Sequence, residues 1–140
     1  MERSKNEFYR EIGVIKLKIS NERLVNSVGV LSKLTNLELP IKLSYALSKN
    51  ITKIDVELKA YNMERGKLLN KYGEKDEEGK LKLSEKGEVN ILDRENFNKD
   101  VAELLKCESE IDIHLIDLES IDTDIKITPG ELMVIDYMFK

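Results

Sequence analysis

The sequence predicts an α+β protein: a long antiparallel helical hairpin with a β-hairpin at its tip, a small β-sheet built from the two ends of the chain, and a short apolar C-terminal helix. Three observations predict it. From Pro40 to Tyr72, the residues Leu47, Ile51, Ile54, Leu58, Tyr61, Leu68 and Tyr72 recur at alternating steps of four and three, broken only where Arg65 takes a core slot. That period makes one apolar seam along a helix. Val14–Ile19 and Glu110–Leu118 instead alternate apolar with charged residues, the period of a half-buried strand. Thr128-Pro129-Gly130-Glu131 is a capping box with Pro at the first helical position, and it opens an apolar run to Phe139.

Taken in order, Met1–Gly13 shows no sustained period and reads as a flexible N-terminal arm, with residues 14–140 as one α+β domain. Lys16 and Lys18 point one face of the first strand to solvent. Ser20 or Asn21 caps a helix whose Leu24, Val25, Val28, Leu31 and Leu34 form one face, with Gly29 inside it. Pro40 suits the first turn of the long helix, and Gly73 suits a left-handed residue just past its end. The long helix would run roughly 48 Å at about 1.5 Å per residue, so part of its seam is expected to meet another helix or another copy of the chain.

Beyond Gly73, Leu81 and Leu83 are separated by a Gly-containing turn from Val89, Ile91 and Leu92, which reads as the β-hairpin. Asp93 caps a returning helix with Phe97, Val101, Leu104 and Leu105 on one face. The strand around Ile111, Ile113 and Leu115 is expected to pair with Val14–Ile19, lysines on one facing carboxylates on the other. The last helix is apolar nearly all round. Leu132, Ile135, Met138 and Phe139 are therefore the expected oligomer interface.

Composition narrows the function. Hydrophobic residues are 41% and charged residues 36% of the chain, with no Trp, which suits an elongated helical protein. No apolar run approaches the length of a membrane span and the N-terminus is polar, so neither a membrane partner nor a signal peptide is expected. The single Cys107 fits a reducing cytoplasm. The charge of −4 hides a split: residues 1–73 hold 14 Lys and Arg against 8 Asp and Glu, residues 74–140 hold 9 against 19. The acidic half is expected to fold back on the basic half and to repel duplex nucleic acid.

No catalytic set emerges, and a non-enzyme without cofactor or metal is expected. His114 is the sole His and reads as a solvent-facing strand residue; Cys107 has no activating neighbour in sequence. Asp117, Glu119, Asp122 and Asp124 lack the Gly and closing Glu of a calcium loop and read as an acidic edge. Neither glycine-rich phosphate motif occurs. One cluster does point to a ligand. Between Glu38 and Asp55 every charge is positive, and Lys42, Lys49 and Lys53 fall in a narrow sector flanking the seam, with Tyr45 beside Lys49. These four are the candidate ligand-binding residues for a phosphate or nucleotide. The competing reading pairs the three lysines with Glu95, Asp100 and Glu103 of the returning helix, or has them simply solubilise the rod.

The run Leu39-Pro40-Ile41-Lys42-Leu43-Ser44-Tyr45-Ala46-Leu47-Ser48-Lys49-Asn50, then Lys71-Tyr72-Gly73-Glu74-Lys75-Asp76, then Thr128-Pro129-Gly130-Glu131-Leu132-Met133 resembles a family of small phage and prophage proteins of Gram-positive bacteria. The likeness spans residues 14–139 and carries no active site. It implies a viral origin and expression in the bacterial host cytoplasm. The expectation is a counter-defence protein that binds or sequesters a host immune component, either a defence protein or an anionic small molecule, as a homo-oligomer. The alternative is a virion structural or assembly protein acting through helix-mediated self-association.

Overall fold

The computed structural model describes residues 13–120 and 125–140; the expected arm, apart from Gly13, lies outside them, as do Asp122 and Asp124. Among the described residues the order is β1 (Val14–Ser20), α1 (Asn21–Thr35), α2 (Ile41–Tyr72), α3 (Arg94–Lys106), β2 (Glu108–His114) and α4 (Pro129–Ile135), an α+β arrangement.

Strands β1 and β2 pair antiparallel with Lys16 opposite Asp112 and Lys18 opposite Glu110, the expected charge pattern. Lys16 Nζ lies 3.8 Å from Glu110 Oε2, one step along the ladder. On the other face Ile19, Ile111 and Ile113 are buried. Ser20 then ends the strand and caps α1, its hydroxyl accepting the Arg23 N–H at 3.2 Å.

Helix α2 is unbroken over 32 residues, about 48 Å at 1.5 Å per residue. Leu43, Leu47, Asn50, Ile54, Leu58 and Tyr61 are buried along it, Ile51, Leu68 and Tyr72 are half-buried, and Arg65 is exposed. The covering surfaces come from the same chain. Helix α1 crosses antiparallel, its Val25 and Val28 near Leu58–Met63 and its Leu31 and Thr35 near Ile51–Asp55. Helix α3 covers the far end, where Phe97 meets Tyr72 edge-to-face at 6.1 Å between ring centres. The C-terminal end of α3 reaches the start of α1, where the buried Asn21 donates to the Leu104 carbonyl at 2.9 Å.

Gly73 departs from expectation. Its φ is −78° and its backbone is extended, not left-handed. A Cβ there would lie 2.5 Å from the Leu69 carbonyl oxygen, 2.5 Å from Leu81 Cδ1 and 2.7 Å from Val89 Cγ1, so glycine is required by close packing rather than by φ. The tip also differs from one simple hairpin. Isolated antiparallel bridges join Gly73 to Ile91, Lys75 to Leu81 and Leu83 to Val89. Two tight turns carry the chain, with Gly79 at φ 81° and Gly87 at φ 77°. Asp76 Oδ1 accepts the N–H groups of Glu78 and Lys80 at 2.9 Å, pinning the first of them.

The capping box of α4 forms as its sequence requires. Thr128 Oγ1 accepts the Glu131 N–H at 3.1 Å, and Glu131 Oε1 accepts the Thr128 N–H at 3.0 Å. Helix α4 ends at Ile135 and tightens into a 3-10 turn over Asp136–Met138. The four residues expected at an oligomer interface are placed against their own chain: Ile135 and Met138 are fully buried, and Leu132 and Phe139 are half-buried. The reason is backbone pairing. Ile116 N–H donates to the Met138 carbonyl at 2.8 Å and Lys140 N–H to the Ile116 carbonyl at 2.9 Å, seating the C-terminus beside the end of β2. Ion pairs lock α4 onto α1: Lys33 Nζ lies 2.9 Å from Glu131 Oε1, and Arg23 pairs with Asp136. The buried Ser27 hydroxyl hydrogen-bonds the Tyr137 hydroxyl at 2.8 Å beneath the Arg23 guanidinium. Attraction between the basic and acidic halves is thus realised at Lys16, Arg23, Lys33 and Lys71.

Candidate anion-binding site

Lys42, Lys49 and Lys53 lie within about 40° of one another around α2, at about 100° per residue, about a third of a turn from the middle of its buried face. The N-terminus of α2 begins after Pro40 with no side-chain cap and no acidic residue in its first turn, so its dipole adds to the positive field at Lys42. Lys42, Tyr45 and Lys49 are exposed and Lys53 is half-buried. The Lys49 ammonium sits 5.4 Å from the centre of the Tyr45 ring, a cation–π contact that leaves its other side to solvent.

The carboxylates that sequence reasoning offered as partners are elsewhere. Asp100 accepts the Tyr72 hydroxyl at 2.6 Å and lies 4.0 Å from Lys71 Nζ. That hydrogen bond holds the Tyr72 phenol above its ordinary range, and Lys71 is held above its own by the same phenol. Length explains the separation. Helix α3 has 13 residues, about 20 Å, while Lys53 lies about 28 Å back along α2 from Tyr72. Among the described residues no carboxylate is within 4 Å of Lys42, Lys49 or Lys53.

Two residues that the sequence reading missed complete the local geometry. Asn50 is fully buried between Lys49 and Lys53 in sequence, and its side chain clamps β2. Its Oδ1 accepts the His114 N–H at 2.8 Å and its Nδ2 donates to the His114 carbonyl at 3.0 Å. The signal was present, since a lone Asn between Leu47 and Ile54 on the apolar seam needs a buried partner. The clamp brings half-buried His114 beside the lysines. Its pKa is lowered first by burial, then by the charges of Lys53 and Lys49. Chemically, the flank offers ammonium groups, an aromatic face and an imidazole, which together can hold an oxyanion.

Position along the helix divides the cluster. Lys49 and Lys53 are one turn apart, about 6 Å, whereas Lys42 lies about 10 Å from Lys49. A compact anion fits the first pair, and an extended one reaches all three. Among the described residues no group of three or more His, Cys, Asp or Glu side chains is arranged to hold a metal ion. Asp117 of the expected acidic edge accepts the Glu119 N–H at 3.1 Å, and Cys107 is exposed at the end of α3. Among the described residues no helix is long and apolar enough to cross a membrane. No protein-family model, curated protein sequence or solved structure matches the chain.

Proposed function

We propose that this is a non-enzymatic binding protein that captures an anionic ligand on the flank of α2 formed by Lys42, Tyr45, Lys49 and Lys53. Taken with the resemblance to small phage and prophage proteins, it acts in the host cytoplasm as a counter-defence protein, holding a phosphorylated or nucleotide signal or an acidic face of a defence protein. The flank lies on the N-terminal half of α2, which is braced by α1 and by the Asn50 clamp to β2. The observation that carries the reading is the absence of any ion pair to the three lysines among the described residues, while Lys16, Arg23, Lys33 and Lys71 are paired across the two halves. The test is a Lys49→Glu, Lys53→Glu double variant. Retention of nucleotides and acidic proteins from infected cells is expected to be lost while the thermal melt is kept; unchanged retention rejects the site.

A second reading, virion assembly through self-association, is favoured by a groove of about 780 Å³ between α1 and α2, lined by Val25, Val28, Leu58, Tyr61 and Met63. Val28 and Met63 are 40% and 62% exposed there. Asp55 and Lys59 line the same groove, so a second copy related by a two-fold axis would bring charges of opposite sign together there. This reading expects a dimer by sedimentation that Met63→Glu splits, and the chain present in purified particles.

A further inference from the structure

We infer that His114 is the third member of a compact-anion site with Lys49 and Lys53, and that binding a small-molecule phosphate dianion there is coupled to proton uptake by its imidazole. The inference rests on the capture reading above and specifies its ligand and its pH response. Geometry carries it. The two Asn50 hydrogen bonds, at 2.8 and 3.0 Å, tie the backbone of residue 114 to the one turn of α2 that carries both lysines. Asn50 is fully buried, so the backbone that carries the imidazole cannot leave that turn without breaking the clamp.

The surroundings of the imidazole explain why it awaits an anion. On helix α2, Lys53 and then Lys49 carry the charges that act on it. Strand β1 places apolar Val14 opposite it in the ladder. On its own strand Asp112 shares its face, across from Lys16, and Lys16 is paired with Glu110. The C-terminus brings Lys140 against Ile116. Positive charge and burial therefore outweigh Asp112, and the free protein keeps the imidazole neutral below its ordinary range. A bound dianion between the lysines reverses the local field. The imidazole then gains a proton and donates a charge-assisted hydrogen bond to the anion. By linkage, the anion binds more tightly as pH falls between the two imidazole pKa values, and the pH dependence vanishes above both.

Since the chain holds one histidine, the imidazole C–H resonances in a proton NMR spectrum belong to His114 alone. The whole protein is titrated from about pH 5 to 8 in sodium chloride, then in sodium sulfate at matched ionic strength; sulfate does not itself titrate in this range. The expected result is an imidazole midpoint raised in sulfate by about half a unit or more, with sulfate affinity tightening about threefold on acidification. Lys53→Gln is expected to raise the midpoint in chloride and to remove the effect of sulfate. His114→Gln, which keeps the backbone clamp, is expected to leave sulfate affinity independent of pH. If sulfate shifts the amide signals of Lys49 and Lys53 with the midpoint unmoved, proton coupling is overturned and capture at the lysines stands. If sulfate and AMP shift neither the lysine signals nor the imidazole, both the inference and the small-molecule form of the capture reading are overturned.

Discussion

Asn50 shows how a single polar residue ties the fold to the site. It sits on the buried face of α2 and meets both backbone groups of His114, so truncation removes two hydrogen bonds and leaves a buried N–H and C=O without partners. Asn50→Ala is expected to cost about 2–3 kcal/mol in urea denaturation and to release His114 from the lysines, returning its pKa toward the ordinary value. The histidine also gives a stability window with a definite sign. Its folded pKa is lowered, so the unfolded chain binds the extra proton. The contribution is whole above about pH 6.5 and is lost as pH falls toward the folded value. Stability is expected to decline from pH 7.5 to 5.5, and less steeply in Lys53→Gln. Glu131 is held below its ordinary range by Lys33 and the Thr128 N–H, so its contribution also fails in acid, but in the carboxylate range below that window. The sequence reading treated His114 as an ordinary surface residue because no local pattern reveals which helix will cross behind a strand.

Capping and close approach decide how the elements end. Ser20, Asp93 and Thr128 each accept a backbone N–H of the first turn that follows, and all three were legible because a cap is a local bond. Thr128→Ala is expected to cost about 1 kcal/mol and to loosen α4 from α1, read by thermal melting. Glycines divide the other way. At Gly29, inside α1, an added Cβ meets nothing within 4 Å, so Gly29→Ala is expected to stabilise by about 0.5–1 kcal/mol. At Gly73 the same change drives a Cβ into the Leu69 carbonyl, Leu81 and Val89, and is expected to cost about 1–3 kcal/mol and to disrupt the tip. From sequence Gly73 looked like a backbone device. The crowding at Gly73 arises from residues up to 16 positions away, which no window around a helix end contains.

Across the whole molecule, the long helix finds its companions within its own chain. Helix α1, strand β2 and helix α3 cover α2, and the C-terminal turn fills the core with Ile135 and Met138. Ile135→Ala and Met138→Ala are each expected to cost about 2–5 kcal/mol, against a change within about 0.5 kcal/mol for Lys49→Glu. Equal effects at the two kinds of site would show that the buried turn is misplaced. Local repetition by itself determined the α+β class, the helix starts, the alternation of charged with apolar residues along both strands, and the lysine flank of α2, because each follows from a period of two or 3.6 or from a cap three residues away. Tertiary structure alone decided which surface covers the seam, that the apolar last helix turns inward, that α3 stops short of Lys53, and that Asn50 sets His114 beside two ammonium groups. Those outcomes depend on distances between segments up to about a hundred residues apart, and burial settles them by satisfying every apolar face and backbone group at once.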